Sequence, residues 1–175
     1  MNRRFLLLLL ILSCHSTLAD GIHFGAAYRC DEKLGSFELA AYVEHNEFTT
    51  VYSGGLPGLK PLEDGEHKLS CRVGGRVTHA VVRVYPASNG ECRGAGYVKL
   101  SPVTFDGKAL PLFASEEPFN WSCHYGPMLI KLSIHSSYDG QVFVVNRCKA
   151  SAWTWEHGYK EVECQQERIE HWLKP

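Results

Sequence analysis

Cysteine offers the most chemistry in this chain, and it occurs in an informative number. There are seven cysteines, and Cys14 lies in an apolar leader, which leaves Cys30, Cys71, Cys92, Cys123, Cys148 and Cys164. A thiolate can attack a substrate, hold a metal or join a disulfide. No two of the six stand in a C-x-x-C pair, and an even set behind an export leader predicts three structural disulfides. An oxidised set leaves no thiolate for nucleophilic catalysis.

The other side chains that do chemistry lack the required spacing. No G-x-S-x-G elbow is present, since Ser53 in Tyr52-Ser53-Gly54-Gly55 has no glycine two places before it. No H-E-x-x-H occurs, and neither the histidines nor an Asp-rich loop offers a ligand set for zinc or calcium. Glu66-His67 and Glu156-His157 are adjacent acid–histidine pairs, but neighbours on a strand point to opposite faces. Glu63-Asp64 and Glu116-Glu117 are the nearest approach to the paired carboxylates of a glycoside hydrolase. The expectation is a protein with no catalytic residue, no metal and no cofactor.

Two segments are better suited to binding. Ser53–Pro61 holds three glycines and two prolines, a composition that excludes regular structure and places Leu56 and Leu59 in a loop. In Trp153-Thr154-Trp155-Glu156-His157-Gly158-Tyr159, an extended backbone puts Trp153 and Trp155 on one face with Tyr159 nearby. Such rows serve as protein hot spots or sugar-stacking platforms. In both segments the competing expectation is that the side chains close over the core. Asn120-Trp121-Ser122 matches an N-glycosylation sequon.

The elements that must position these residues read as strands. Residues 1–19 form a signal peptide: Arg3 and Arg4, the apolar run Phe5–Leu12, then Thr17-Leu18-Ala19 for cleavage. The run is too short for the roughly twenty residues of a spanning helix, so no stable membrane insertion is expected. Ile11-Leu12-Ser13-Cys14 loosely resembles a lipobox, which makes a lipoprotein anchored at Cys14 the alternative to a free periplasmic or secreted chain. The mature part, 20–175, is of single-domain size. With Arg3 and Arg4 removed the 18 basic residues fall to 16 against 19 acidic, a formal charge of −3. No basic stripe shows along the chain, so nucleic acid and anionic membrane are not expected partners.

Period-two alternation marks Ser36–Glu44, Lys68–Val73 and Met128–His135; turns lead into further strands over Val77–Tyr85 and the Val-rich Gln141–Cys148, with a last strand over Tyr159–Cys164. Gly74-Gly75, Asn89-Gly90, Asp106-Gly107 and Asp139-Gly140 supply turns. In Ser36–Glu44 the apolar Phe37, Leu39, Ala41 and Val43 predict one buried and one wet face. Gln165–Leu173 has Ile169, Trp172 and Leu173 at helical spacing. The fold class is therefore all-β: antiparallel hairpins in a sandwich or barrel-like domain, with a short C-terminal helix.

Tyr28-Arg29-Cys30 before one alternating strand and Trp121-Ser122-Cys123 before another suggest two similar halves, 22–112 and 113–175. A two-fold pairing follows: Cys71–Cys92, Cys148–Cys164 and Cys30–Cys123. Aromatic-x-Cys near the mature start resembles the small lysozyme inhibitors of Gram-negative bacteria over some twenty residues. The Ser-Gly-x-x-Tyr stretch that such inhibitors insert into lysozyme is missing, so no inhibitory residue carries over. Small size, leader and absent catalysis are similar to periplasmic immunity proteins. The expected function is binding, and inhibition or neutralisation, of a partner protein such as a secreted hydrolase or toxin. An envelope-structural or carbohydrate-binding module is the alternative, and a hydrolase with a scattered site is a third.

Overall fold

Glycine-bearing turns fold alternating segments back on one another, and the result is almost entirely strand. The computed structural model describes residues 22–45, 48–51, 58–85, 97–115, 117–119, 128–154 and 158–170. Among them run β1 (Ile22–Asp31), β2 (Ser36–His45), β3 (Phe48–Val51), β4 (Lys60–Pro61), β5 (Gly65–Val73), β6 (Arg76–Tyr85) and β7 (Tyr97–Leu100). These are followed by β8 (Thr104–Phe105), β9 (Lys108–Ala109), β10 (Glu117–Phe119), β11 (Met128–Ser136), β12 (Phe143–Thr154) and β13 (Gly158–Ile169). A single 3-10 turn spans Pro111–Phe113.

The strands form two antiparallel sheets. The first runs β4-β1-β2-β11-β12-β13, with β3 added to β2. In the second, β6 pairs with β5 along one side and with β7 and β8 along the other; β7 continues to β10 and β8 to β9. One parallel bridge, Phe119 to Leu129, connects β10 with β11 and so joins the sheets. No barrel closes among the described strands.

Between the sheets lies one apolar core. Phe37 and Leu39 of β2, Leu132 and Ile134 of β11 and Phe143 and Val145 of β12 belong to the same buried cluster as Cys71, Val82, Leu100 and Phe105 of the second sheet. Phe105 meets Phe143 edge-on across the sandwich, with ring centroids 4.7 Å apart. The period-two pattern was thus correct for the inner face. It understated burial, because Ser36, Glu38, Ala40 and Tyr42 on the opposite face of β2 are buried as well. Side chains from the flanking strands cover that face: Arg29 of β1 and His135 of β11 approach Glu38, and the Tyr42 ring lies over Gly25 of β1.

Two expectations are corrected. Gln165–Ile169 is not helical: it continues β13 in register with β12, from Gln165 opposite Arg147 to Ile169 opposite Phe143. The ladder satisfies every second backbone group there and buries Ile169, which a single isolated helical turn could not match. The remainder of that segment, 171–173, lies outside the described residues. The two-fold disulfide scheme also fails. Cys148 does bond Cys164, but Cys30 bonds Cys71 rather than Cys123. Cys30 and Cys71 project from facing sheets with their Cα atoms 5.7 Å apart, an ordinary disulfide span. Cys92 and Cys123 lie outside the described residues.

Candidate site at the hairpin-turn pole

Three hairpin turns gather at one end of the sandwich. They are Glu32–Gly35 between β1 and β2, Gly74-Gly75 between β5 and β6, and Ser137–Val142 between β11 and β12. Each has a local cause. Asp31 accepts hydrogen bonds from the backbone N–H groups of Lys33 and Leu34 through Oδ1, at 3.1 and 3.0 Å, which is the Asx turn expected of aspartate. Asp139 accepts from the Ser137 hydroxyl and from the Gln141 N–H. Those bonds hold the Asp139 carboxyl below the usual aspartate range, the Ser137 hydroxyl contributing most.

The turns also interlock. Ser136 N–H donates to the Gly35 carbonyl at 2.9 Å, and Gly35 and Gly74 both pack on Ser136. Both have positive φ, +58° and +52°. A Cβ at Gly35 would collide with Ser136 Oγ, and one at Gly74 would lie 2.7 Å from Ser136 Cβ. Glycine is required at both places by conformation and by space. Beneath them the Cys30–Cys71 disulfide links the strands that feed two of the three turns.

Two large apolar side chains stand out from this rigid base. Leu34 is 74 % exposed and Tyr138 is fully exposed. Glu32, Lys33, Gly35, Gly74 and Ser136–Gly140 line with them an open cleft of about 600 Å³. Both are exposed apolar side chains on turns rather than part of the core. The chemistry available is recognition: apolar anchors, an exposed carboxylate at Glu32, an exposed ammonium at Lys33 and turn carbonyls.

The residues singled out from the sequence are distributed differently. Leu59 is half-buried just before β4, on the edge of the first sheet beside β1. Leu56 and Trp155 lie outside the described residues. Trp153 and Tyr159 are direct cross-strand partners on β12 and β13, in the part of that hairpin beyond Ala150, the last β12 residue paired with β11. They lie at the far end of β12 from the turn pole, roughly 40 Å along a twelve-residue strand. The structure thus joins Trp153 with Tyr159 and separates both from Leu59. Leu34 and Tyr138 escaped sequence reading. The usable signal was one large apolar residue inside each turn segment, Asp31-Glu32-Lys33-Leu34-Gly35 and Ser137-Tyr138-Asp139-Gly140.

The acid–histidine pair on β5 does no joint work: Glu66 is bonded by Arg83 Nε at 2.9 Å, and His67 Nε2 lies 2.6 Å from the Glu63 carbonyl. On the first sheet's outer face, buried Glu38 accepts from Arg29 at 2.6 Å and lies 3.7 Å from His135 Nε2. Burial lowers the His135 pKa, Glu38 opposing and Lys131 and Arg29 assisting. Asn146 donates to Ser133 and Gln166 to Asn146, extending a polar row across the strands. Among the described residues no three His, Cys, Asp or Glu side chains are grouped to hold a metal ion. No described helix is long and apolar enough to cross a membrane. No family model, curated protein or solved structure matches this chain.

Proposed function

We propose that this chain is an exported, disulfide-clamped β-sandwich that binds a partner protein through its turn pole and thereby inhibits or neutralises it. The observation that carries the reading is the placement of Leu34 and Tyr138, both exposed and both lining one cleft between turns that are already locked together. A surface ordered before binding loses little conformational entropy on complex formation, so its anchors contribute nearly in full. Side chains raised on narrow turns suit insertion into a partner's cleft, the geometry of a blocked active site. A hydrolase or toxin acting in the cell envelope is the partner class that suits an exported neutraliser.

The test is affinity capture from periplasmic extract and culture fluid with the oxidised mature protein as bait. A stoichiometric protein is expected on the wild type and not on Leu34→Ala/Tyr138→Ala. Either anchor alone should contribute about 2 kcal/mol, a loss of about thirtyfold in affinity. Capture unaffected by the double variant overturns the assignment to this pole. The Trp153–Tyr159 cross-strand pair supports a second reading, a carbohydrate-binding module of the envelope. Retention on peptidoglycan or polysaccharide alone, lost in Trp153→Ala, would favour it.

A further inference from the structure

Charge is segregated on this sandwich in a way that the chain's composition conceals. The solvent-facing side of the second sheet carries Lys68 and Arg72 on β5, His79 and Arg83 on β6 and Lys99 on β7. Register places Arg83 between Glu66 and Lys99, and His79 opposite Ser70. Glu66 is the one carboxylate among these described cross-strand positions. It accepts from Arg83 at 2.9 Å and lies 3.9 Å from Lys68 Nζ. Neither Arg72 nor Lys99 forms an ion pair with a described residue. The Lys68 side chain is 80 % exposed, and Arg72 and His79 are exposed as well. Four permanent cations, Lys68, Arg72, Arg83 and Lys99, therefore share this face with Glu66, and beside Val77 Arg76 is paired with Asp106 at 2.8 Å, so cations remain in excess.

We propose that this face is a docking surface for an anionic phospholipid bilayer. The cations are not strung along a groove, as a single polyanion chain would require. They are spread over about 20 Å along the strands, from the level of Glu66 to Arg72, and about 10 Å across β5, β6 and β7, from strand rise and strand spacing. That is a broad patch in which Lys68, Arg83 and Lys99 each lie within about one Debye length of a neighbouring cation at physiological salt, while Arg72 extends it beyond Lys68, so together they face a charged plane. Half-buried Val77 and Val81 lie between them and offer apolar contact at headgroup level without insertion. Adsorption of this kind depends on the sum of electrostatic attraction and apolar area. The turn pole lies at the ends of the same strands, so a sandwich lying face-on would keep Leu34 and Tyr138 free at its side. The linear sequence, in which no basic stripe shows, led to the opposite expectation; the clustering appears only when β5, β6 and β7 are laid side by side.

Co-sedimentation of the oxidised mature protein with phosphatidylcholine vesicles, with and without phosphatidylglycerol, tests the proposal. Partition onto the anionic vesicles is expected to exceed that onto neutral ones by about tenfold or more at low salt, and to fall steeply as salt is raised. Lys68→Glu/Arg72→Glu should abolish the excess, while Glu161→Gln/Glu163→Gln on the first sheet should leave it in place. Equal partition onto neutral vesicles, or anionic binding insensitive to salt, overturns the proposal. Preferential capture by soluble polyphosphate over vesicles does so too, and would assign the patch to a polymer. The salt series on the unmodified protein decides between these outcomes even if a variant misfolds.

Discussion

Cys30 on β1 is bonded to Cys71 on β5, so this disulfide runs between the two sheets rather than along either of them. Its position just beneath Asp31 and Val73 fixes the separation of two of the turns that carry the candidate site. The Cys148–Cys164 bond differs in kind: it joins directly opposed residues of neighbouring strands and staples a hairpin that hydrogen bonds already hold.

The two disulfides should differ in their effect on stability. Cys30→Ala/Cys71→Ala removes a link across a sequence separation of 41, and Cys148→Ala/Cys164→Ala one across 16. Loop-closure entropy alone makes the first about 0.8 kcal/mol the more damaging, within losses of about 2–5 kcal/mol for each. Urea denaturation of both variants measures the difference. An equal or reversed order would mean that the inter-sheet bond does not constrain the unfolded chain as supposed.

The third disulfide is expected to join Cys92 to Cys123. β7 and β10 are antiparallel neighbours with Val98 opposite Phe119, so the first residues of β7 and the last of β10 lie at the same end of the sheet. Cys92 precedes β7 by five residues and Cys123 follows β10 by four. Peptide mapping without reduction should recover this pair. Recovery of either cysteine as a free thiol would count against it.

The interlock at the pole predicts a coupled pair of variants. Gly35→Ala must place a side chain in the left-handed region, at about 1–2 kcal/mol, and must also displace the Ser136 hydroxyl. Ser136→Ala removes the obstructing atom, so the double variant should recover part of the loss, a coupling of about 0.5–3 kcal/mol. Thermal melts of the three variants provide the cycle, and strict additivity would refute the contact.

Core and site should separate in a stability comparison. Phe143 is buried against Phe105, and Phe143→Ala should cost about 3–5 kcal/mol. Tyr138 is fully exposed, and Tyr138→Ala should change stability by no more than about 0.5 kcal/mol. A large loss in the second variant would mean that Tyr138 packs on the fold instead of awaiting a partner.

Acid should weaken the fold through His135. Burial lowers its pKa in the folded state, so the unfolded chain binds the proton more readily. Stability contributed by the neutral imidazole is therefore present above the unfolded value of about 6.5 and lost as pH falls below it, until the folded group is protonated as well. His135→Gln should show a flatter decline than the wild type between about pH 7 and 5 in melting curves. Identical slopes would remove His135 as the cause.

Much of the architecture was legible in the residues themselves. The alternation of Phe37, Leu39 and Ala41, and of Ile130, Leu132 and Ile134, fixes strands because period two is a local property of an extended backbone. Gly74-Gly75 and Asp106-Gly107 likewise fix turns, since the positive φ angles found at all four residues are set by local sterics. The Cys148–Cys164 bond was expected as part of a two-fold scheme whose other bridge at Cys30 the structure pairs differently, and it stands because the two residues are directly opposed on β12 and β13. Other features depend on which strands become neighbours, and no local period encodes that. Gln165–Ile169 has the apolar spacing of a helix, yet the free edge of β12 was available and the ladder prevailed. Cys30 found Cys71 because β1 and β5 face one another across the core, a distance of 41 residues along the chain. Leu34 and Tyr138, 104 positions apart by number, and the cations of β5, β6 and β7 become surfaces only once sheet packing collects them. Periodicity reports the partner a side chain faces within its own element; proximity between elements is decided by the packing of the whole core.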